Sequence, residues 1–102
     1  MSEELEMACF QIITYVGTAR SCFMNAIQLA KEGQFEEAEA CIKQGDEAFV
    51  QGHHGHADLL TKEANGELTP CLLLIHAEDQ LMAAETARAF AEEFITLYKK
   101  LA

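Results

Sequence analysis

Proline occurs once in the 102 residues, glycine six times and tryptophan not at all. So little punctuation leaves room for few turns and therefore for long uninterrupted segments. Basic side chains are also scarce: seven Lys and Arg face 17 Asp and Glu, a net charge of −10. That balance argues against nucleic acid or an anionic membrane as the main partner and leaves proteins and small molecules. No apolar run reaches the roughly 18 residues of a membrane span, and the acidic start "MSEELEM" lacks the basic region of a signal peptide, so a cytoplasmic location is expected. Cys9, Cys22, Cys41 and Cys71 lie 13, 19 and 30 residues apart. Without a CxxC they suggest neither a zinc knuckle nor a redox pair, and buried free thiols are expected.

What is present is a chain the size of a single domain, residues 1–102, half apolar and one quarter charged. Its turn signals fall in two places. In "KEGQF", Gly33 suits the residue just past a helix C-terminus. In "ANGELTP", Asn65-Gly66 closes a helix, and Thr69-Pro70 offers an N-cap followed by proline at the first helical position. Three segments result, about 3–32, 35–65 and 70–101, and each carries a helical period. The first repeats Leu5, Cys9, Ile12, Val16, Ala19, Phe23, Ala26 and Ala30. The second repeats Phe35, Ala38, Ile42, Gly45, Phe49, Gly52, His56 and Leu59. The third repeats Leu73, His76, Gln80, Ala83, Ala87, Phe90, Phe94, Leu97 and Leu101. Short turns favour antiparallel neighbours, hence an all-α, up-down-up three-helix bundle about 45 Å long at 1.5 Å per residue.

The stretch "LLLIHAEDQLM", residues 72–82, is the most informative. His76 and Gln80 interrupt the third apolar seam. Leu72, Ile75, Asp79, Met82 and Thr86 make a second stripe on the same helix, again with one polar member. The surplus apolar face suggests self-association. A lone histidine on an apolar face is most often a satisfied core residue, but Asp79 and Gln80, three and four positions on, are within side-chain reach of it. Glu78, two positions on, points elsewhere. A polar neighbour on one ring nitrogen would leave the other with a lone pair for nucleophilic attack or metal binding. Three Asp79 carboxylates meeting on a symmetry axis would repel unless protonated or bridged by a cation, which makes metal binding between subunits a use for that residue.

"LLLIHAEDQLM", "GTARSCFMNAIQLAKEGQFEEAEACI" and "AEEFITLYKKLA" together resemble the enzyme IIA component of the lactose, cellobiose and N,N′-diacetylchitobiose branch of the phosphoenolpyruvate-dependent sugar phosphotransferase system. The resemblance covers nearly the whole chain. It implies a homotrimer of three-helix subunits, nine helices in all. It further implies that His76 takes a phosphoryl group from the phosphohistidine of the carrier HPr and passes it to a cysteine of enzyme IIB. A β-linked disaccharide receives the group during uptake through the membrane component, enzyme IIC. Asp79 is implied to gather on the trimer axis around a divalent cation such as magnesium. Phosphoryl transfer asks the protein mainly for positioning and charge management, and an imidazole serves equally as nucleophile and leaving group.

Three departures from the family pattern bear on the site. Relatives commonly carry glutamine where this chain has Glu78, histidine where it has Gln80 and glutamine where it has His56. Glu78 adds negative charge near a residue that must receive a phosphate, while Gln80 can still donate a hydrogen bond to a phosphoryl oxygen or the ring. His56 could approach His76 from a neighbouring helix or subunit and contact the phosphate. His53, His54 and His56 in "GHHGHADLL" could alternatively hold a metal, with His54 facing solvent if they do not. Arg20 in "GTARS" is a further anion contact if it points inward. The rival functional reading is a non-catalytic helical oligomer or regulatory scaffold in which His76 and Asp79 bind metal or set register.

Overall fold

The structure is a computed structural model that describes residues 2–102. It contains three helices, α1 (Glu3–Lys31), α2 (Phe35–Ala64) and α3 (Leu72–Leu101), and no strand among the described residues. They form a rod of 53 × 18 × 17 Å in the expected up-down-up order. α1 packs extensively against both other helices, whereas α2 and α3 touch much less.

The helix ends follow from local chemistry. The Ser2 hydroxyl accepts the Leu5 N–H at 3.0 Å, with Glu3, Glu4 and Glu6 in the first turn to complement the positive helix terminus. At the other end of α1, Gly33 takes φ of +81°. Its N–H donates to Ala30 O at 3.0 Å while the Gln34 N–H donates to Leu29 O at 2.9 Å, the paired closure of a Schellman cap. Gly66, at φ of +74°, repeats it: its own N–H reaches Glu63 O and the Glu67 N–H reaches Lys62 O. Both turns are therefore where the glycines predict.

The start of α3 differs from expectation. Cys71 is the N-cap, without a side-chain hydrogen bond to the helix, and Thr69-Pro70 lie outside it. Leu68 and Cys71 pack against the core cluster around Cys9, Ile12, Leu59 and Leu74. Those apolar anchors hold the connection extended past the proline, so the helix begins two residues beyond it.

The α1 seam is buried as expected from Cys9 to Ala30, and the α2 seam buries Ala38, Ile42, Gly45, Gly52 and Leu59 while Phe35, Phe49 and His56 are half-buried. Close approach of α1 and α2 explains the glycines: a Cβ at Gly52 would lie 2.5 Å from Val16 Cγ1, and one at Gly45 2.5 Å from Phe23 Cε1. The α3 seam is a correction. The buried stripe is Leu74, Ala77, Leu81, Ala84, Ala91 and Ile95, one position round from the stripe of larger residues that includes His76 and Phe90. Alanines let α1 approach α3 closely, and the bulky residues stay outside, with Phe90 58% and Leu97 48% exposed. Among the cysteines only Cys9 is fully buried; Cys22, Cys41 and Cys71 are half-buried.

Where α2 and α3 do meet, the contact is polar. Arg88 donates from Nε and Nη2 to the two carboxylate oxygens of Asp46 at 2.5 and 2.9 Å. Lys99 Nζ lies 3.5 Å from Glu39 Oε1, and His56 Nε2 lies 3.1 Å from Glu78 Oε1. Three rungs in antiparallel register thus span the seam that apolar side chains leave thin.

Candidate functional site

At about 100° per residue, α3 presents four aspects near its start. Ala77, Leu81 and Ala84 turn inward and are buried. His76 and Gln80 lie on one flank, His76 exposed and Gln80 half-buried. Glu78 lies on the opposite flank, against α2. Ile75, Asp79 and Met82 point outward, with Ile75 50% and Met82 53% exposed.

His76 is therefore not an interruption of the core, as the seam predicts, but an accessible side chain on a rigid helix. Burial of Ala77, its neighbour, at 0% exposure holds the local backbone against the core. The ring makes no hydrogen bond or ion pair to another of the described residues, so neither Asp79 nor Gln80 orients it within one chain. Solvent access to an imidazole is what two successive protein partners would need. A cleft of about 290 Å³ between α1 and α2, lined in part by Gln11, Tyr15, Gln51 and Asp58, does not include His76. The candidate site is thus an exposed histidine and not an enclosed pocket.

His56 is half-buried on α2 and directed at Glu78, with side-chain exposures of 15% and 36%. Its Nε2 is within ion-pairing distance of the carboxylate but is not aligned for a hydrogen bond, and it has no other hydrogen-bond partner. Because Glu78 is about 200° round the helix from His76, α2 of the same chain comes to the flank away from the phosphoryl candidate. Within one chain His56 and His76 are not brought together. Glu78 does keep off the His76 ring, as its spacing predicts.

The triple-histidine segment does not converge. The His53 ring lies tilted at 5.9 Å from the Phe49 ring, His54 is exposed as expected, and among the described residues no cluster of three or more His, Cys, Asp or Glu could hold a metal. Arg20 is exposed on α1 and not directed inward. Burial first, then proximity of Cys71, pushes the Cys9 thiol up from its ordinary range; burial and then Cys41 do the same to Cys22. The Asp46 hydrogen bond is the main cause raising Arg88. Sequence reasoning missed both the His56–Glu78 pair and the Arg88–Asp46 fork. Their only sequence signal is that both pairs share one antiparallel register between α2 and α3.

The fold is a bundle of three long helices in up-down-up order, carrying an exposed histidine on a helix flank beside an outward apolar stripe. The sequence model of the "PTS system, Lactose/Cellobiose specific IIA subunit" matches residues 7–99. The chain belongs to this family. It is 43% identical over 102 residues to the lichenan-specific phosphotransferase enzyme IIA component of Bacillus subtilis (strain 168), covering 99% of this chain and 93% of that protein. It is 32% identical over 99 residues to the lactose-specific EIIA component of Staphylococcus epidermidis, covering 96% and 95%. Among solved structures, the cellobiose-specific enzyme IIA of Bacillus anthracis superposes with a TM-score of 0.93 at 45% identity, over 99% of this chain and 94% of that one. The IIA(Chitobiose)–HPr complex of Escherichia coli contains a chain matching with a TM-score of 0.85 at 35% identity, over 98% of each. No helix among the described residues is long and apolar enough to cross a membrane.

Proposed function

We propose that this enzyme IIA relays a phosphoryl group through His76, from the phosphohistidine of HPr to a cysteine of enzyme IIB that serves a β-linked disaccharide permease. The observation that carries the reading is the exposed imidazole on a helix fixed by buried Leu74, Ala77 and Leu81. A ring nitrogen of His76 attacks phosphorus in line, the phosphorus–nitrogen bond of the HPr phosphohistidine breaks, and the HPr imidazole leaves. In the second transfer a thiolate of enzyme IIB attacks and His76 is the leaving group. Orientation comes from the helix and access from the open flank. Both partners must use the same surface in turn, which fits a transient interface near or below about 1,200 Å². Gln80, half-buried on the same flank, would donate to a phosphoryl oxygen.

The outward stripe supports self-association, and the family resemblance makes the assembly a homotrimer. Asp79 is an exposed carboxylate between exposed Ile75 and Met82, and the described residues of one chain group no three His, Cys, Asp or Glu that could hold a cation. An ion held by Asp79 would therefore be shared between copies. A divalent cation such as magnesium would supply charge neutralisation there, away from the His76 flank.

The reading is tested by incubating the protein with phosphoenolpyruvate, enzyme I and HPr. An acid-labile, base-stable phosphate on the wild type and none on His76→Ala is expected; no label on the wild type, or equal label on both, contradicts it.

A further inference from the structure

The relay site sits on a molecule of net charge −10 and must hold a phosphoryl group that adds further negative charge. Glu78 stands two residues from His76 on the same helix and is the carboxylate that its position makes hardest to explain. The structure places an imidazole beside it. His56 Nε2, buried and without a hydrogen-bond partner of its own, lies 3.1 Å from Glu78 Oε1. No lysine or arginine among the described residues pairs with Glu78, so His56 is what this carboxylate has.

We propose that His56 is a positioning residue for the phosphocarrier: as an imidazolium it anchors and neutralises Glu78 on the α2 flank of α3, so that no unpaired carboxylate lies across the helix from phosphorylated His76. This rests on the phosphocarrier reading and deepens it. His56 and Glu78 then act as one unit. A carboxylate at Glu78 alone would repel the phosphoryl group through the helix, while a histidine at position 56 alone would leave a buried ring nitrogen facing no charge.

The quantity that isolates this effect is an equilibrium: the partition of the phosphoryl group between phospho-HPr and phospho-His76. It depends on the difference in free energy between the phosphorylated and free forms, so a stability loss common to both does not move it. Two unit charges about 10 Å apart, across the diameter of a helix, interact by an amount equivalent to about two- to fifteen-fold in that equilibrium between a dielectric of 80 and one of 20. His56→Ala is therefore expected to shift the partition toward phospho-HPr by that factor. Adding Glu78→Gln to His56→Ala is expected to restore it, because the charge that His56 offsets has then gone. His56→Gln, which keeps a polar side chain without the charge, should show the same shift as His56→Ala and serves if the alanine variant does not fold.

Each variant is measured at a temperature where circular dichroism shows it fully helical. An unchanged partition in both His56 variants overturns the proposal, as does a double variant that stays as shifted as His56→Ala. Absence of label on wild-type protein would instead overturn the phosphocarrier reading itself, so the two failures are distinct.

Discussion

A methyl group added at Gly52 would start 2.5 Å from Val16 Cγ1, in a core where Val16 is fully buried. Either the valine or the helix must shift, so Gly52→Ala should destabilise the protein by about 1–3 kcal/mol despite the better helix propensity of alanine. Thermal unfolding followed by circular dichroism checks this, and a raised midpoint would mean that α1 and α2 are less closely packed. Thiol chemistry gives a second residue-scale expectation. Burial raises the Cys9 thiol, and the side chain is inaccessible, so it should react with a disulfide reagent only on unfolding, later than half-buried Cys41. Stoichiometric mass labelling under native conditions that modifies Cys9 first would contradict the burial. At this scale the sequence singles out His76 and Asp79, whose types stand out against apolar neighbours, and the structure places both at the surface of α3. The sequence is silent on the partner of Glu78, because two residues 22 positions apart in the chain meet only through the register of two helices.

Among the elements, α1 and both inter-helix turns were legible. Ile12, Val16 and Phe23 are large and periodic, and glycine at positive φ past the helix end is a local requirement. α3 was misread because its buried stripe is built on Ala77, Ala84 and Ala91, whose small size permits close approach but carries little weight in a hydrophobic pattern. The larger Phe90, Phe94 and Leu97 dominate the pattern and stay half or more outside. The polar seam between α2 and α3 has its own test. Asp46 and Arg88 are 39% and 43% exposed, so solvent screens the pair and its double-mutant coupling energy should be about 0.5–1 kcal/mol in spite of the two-bond fork. The Asp46 hydrogen bond raises the Arg88 guanidinium further above its ordinary range, so Arg88 itself stays charged and adds no pH dependence under working conditions. A cycle on Asp46→Ala and Arg88→Ala in denaturant titrations reads the coupling directly.

For the whole molecule, a 53 Å rod only 18 Å wide buries modest core, and it leaves Leu72, Ile75, Met82, Phe90, Phe94 and Leu97 at the surface of one helix. An exposed apolar stripe of that length is stable in water when copies cover it. Ile75→Glu should therefore lower the solution mass toward that of one chain while α-helical content is retained, and sedimentation distinguishes this from a variant that keeps the wild-type mass. Removal of divalent cations with a chelator should lower the unfolding midpoint if three Asp79 carboxylates share an ion, and should leave Asp79→Asn unaffected. The family and the bundle were readable from the chain because their signals are local runs of residues. For assembly the residues offered a surplus of apolar surface and the resemblance implied a homotrimer, since nothing in one chain specifies how many copies cover that surface.

The central claim is that His76 carries the phosphoryl group. Intact-mass measurement after incubation with phospho-HPr, followed by peptide mapping under alkaline conditions that preserve phosphohistidine, tests it most directly. The account predicts one added phosphoryl group per chain, mapped to His76 and discharged on adding enzyme IIB. A phosphoryl group mapped to His53, His54 or His56, or wild-type mass unchanged by phospho-HPr, would contradict it.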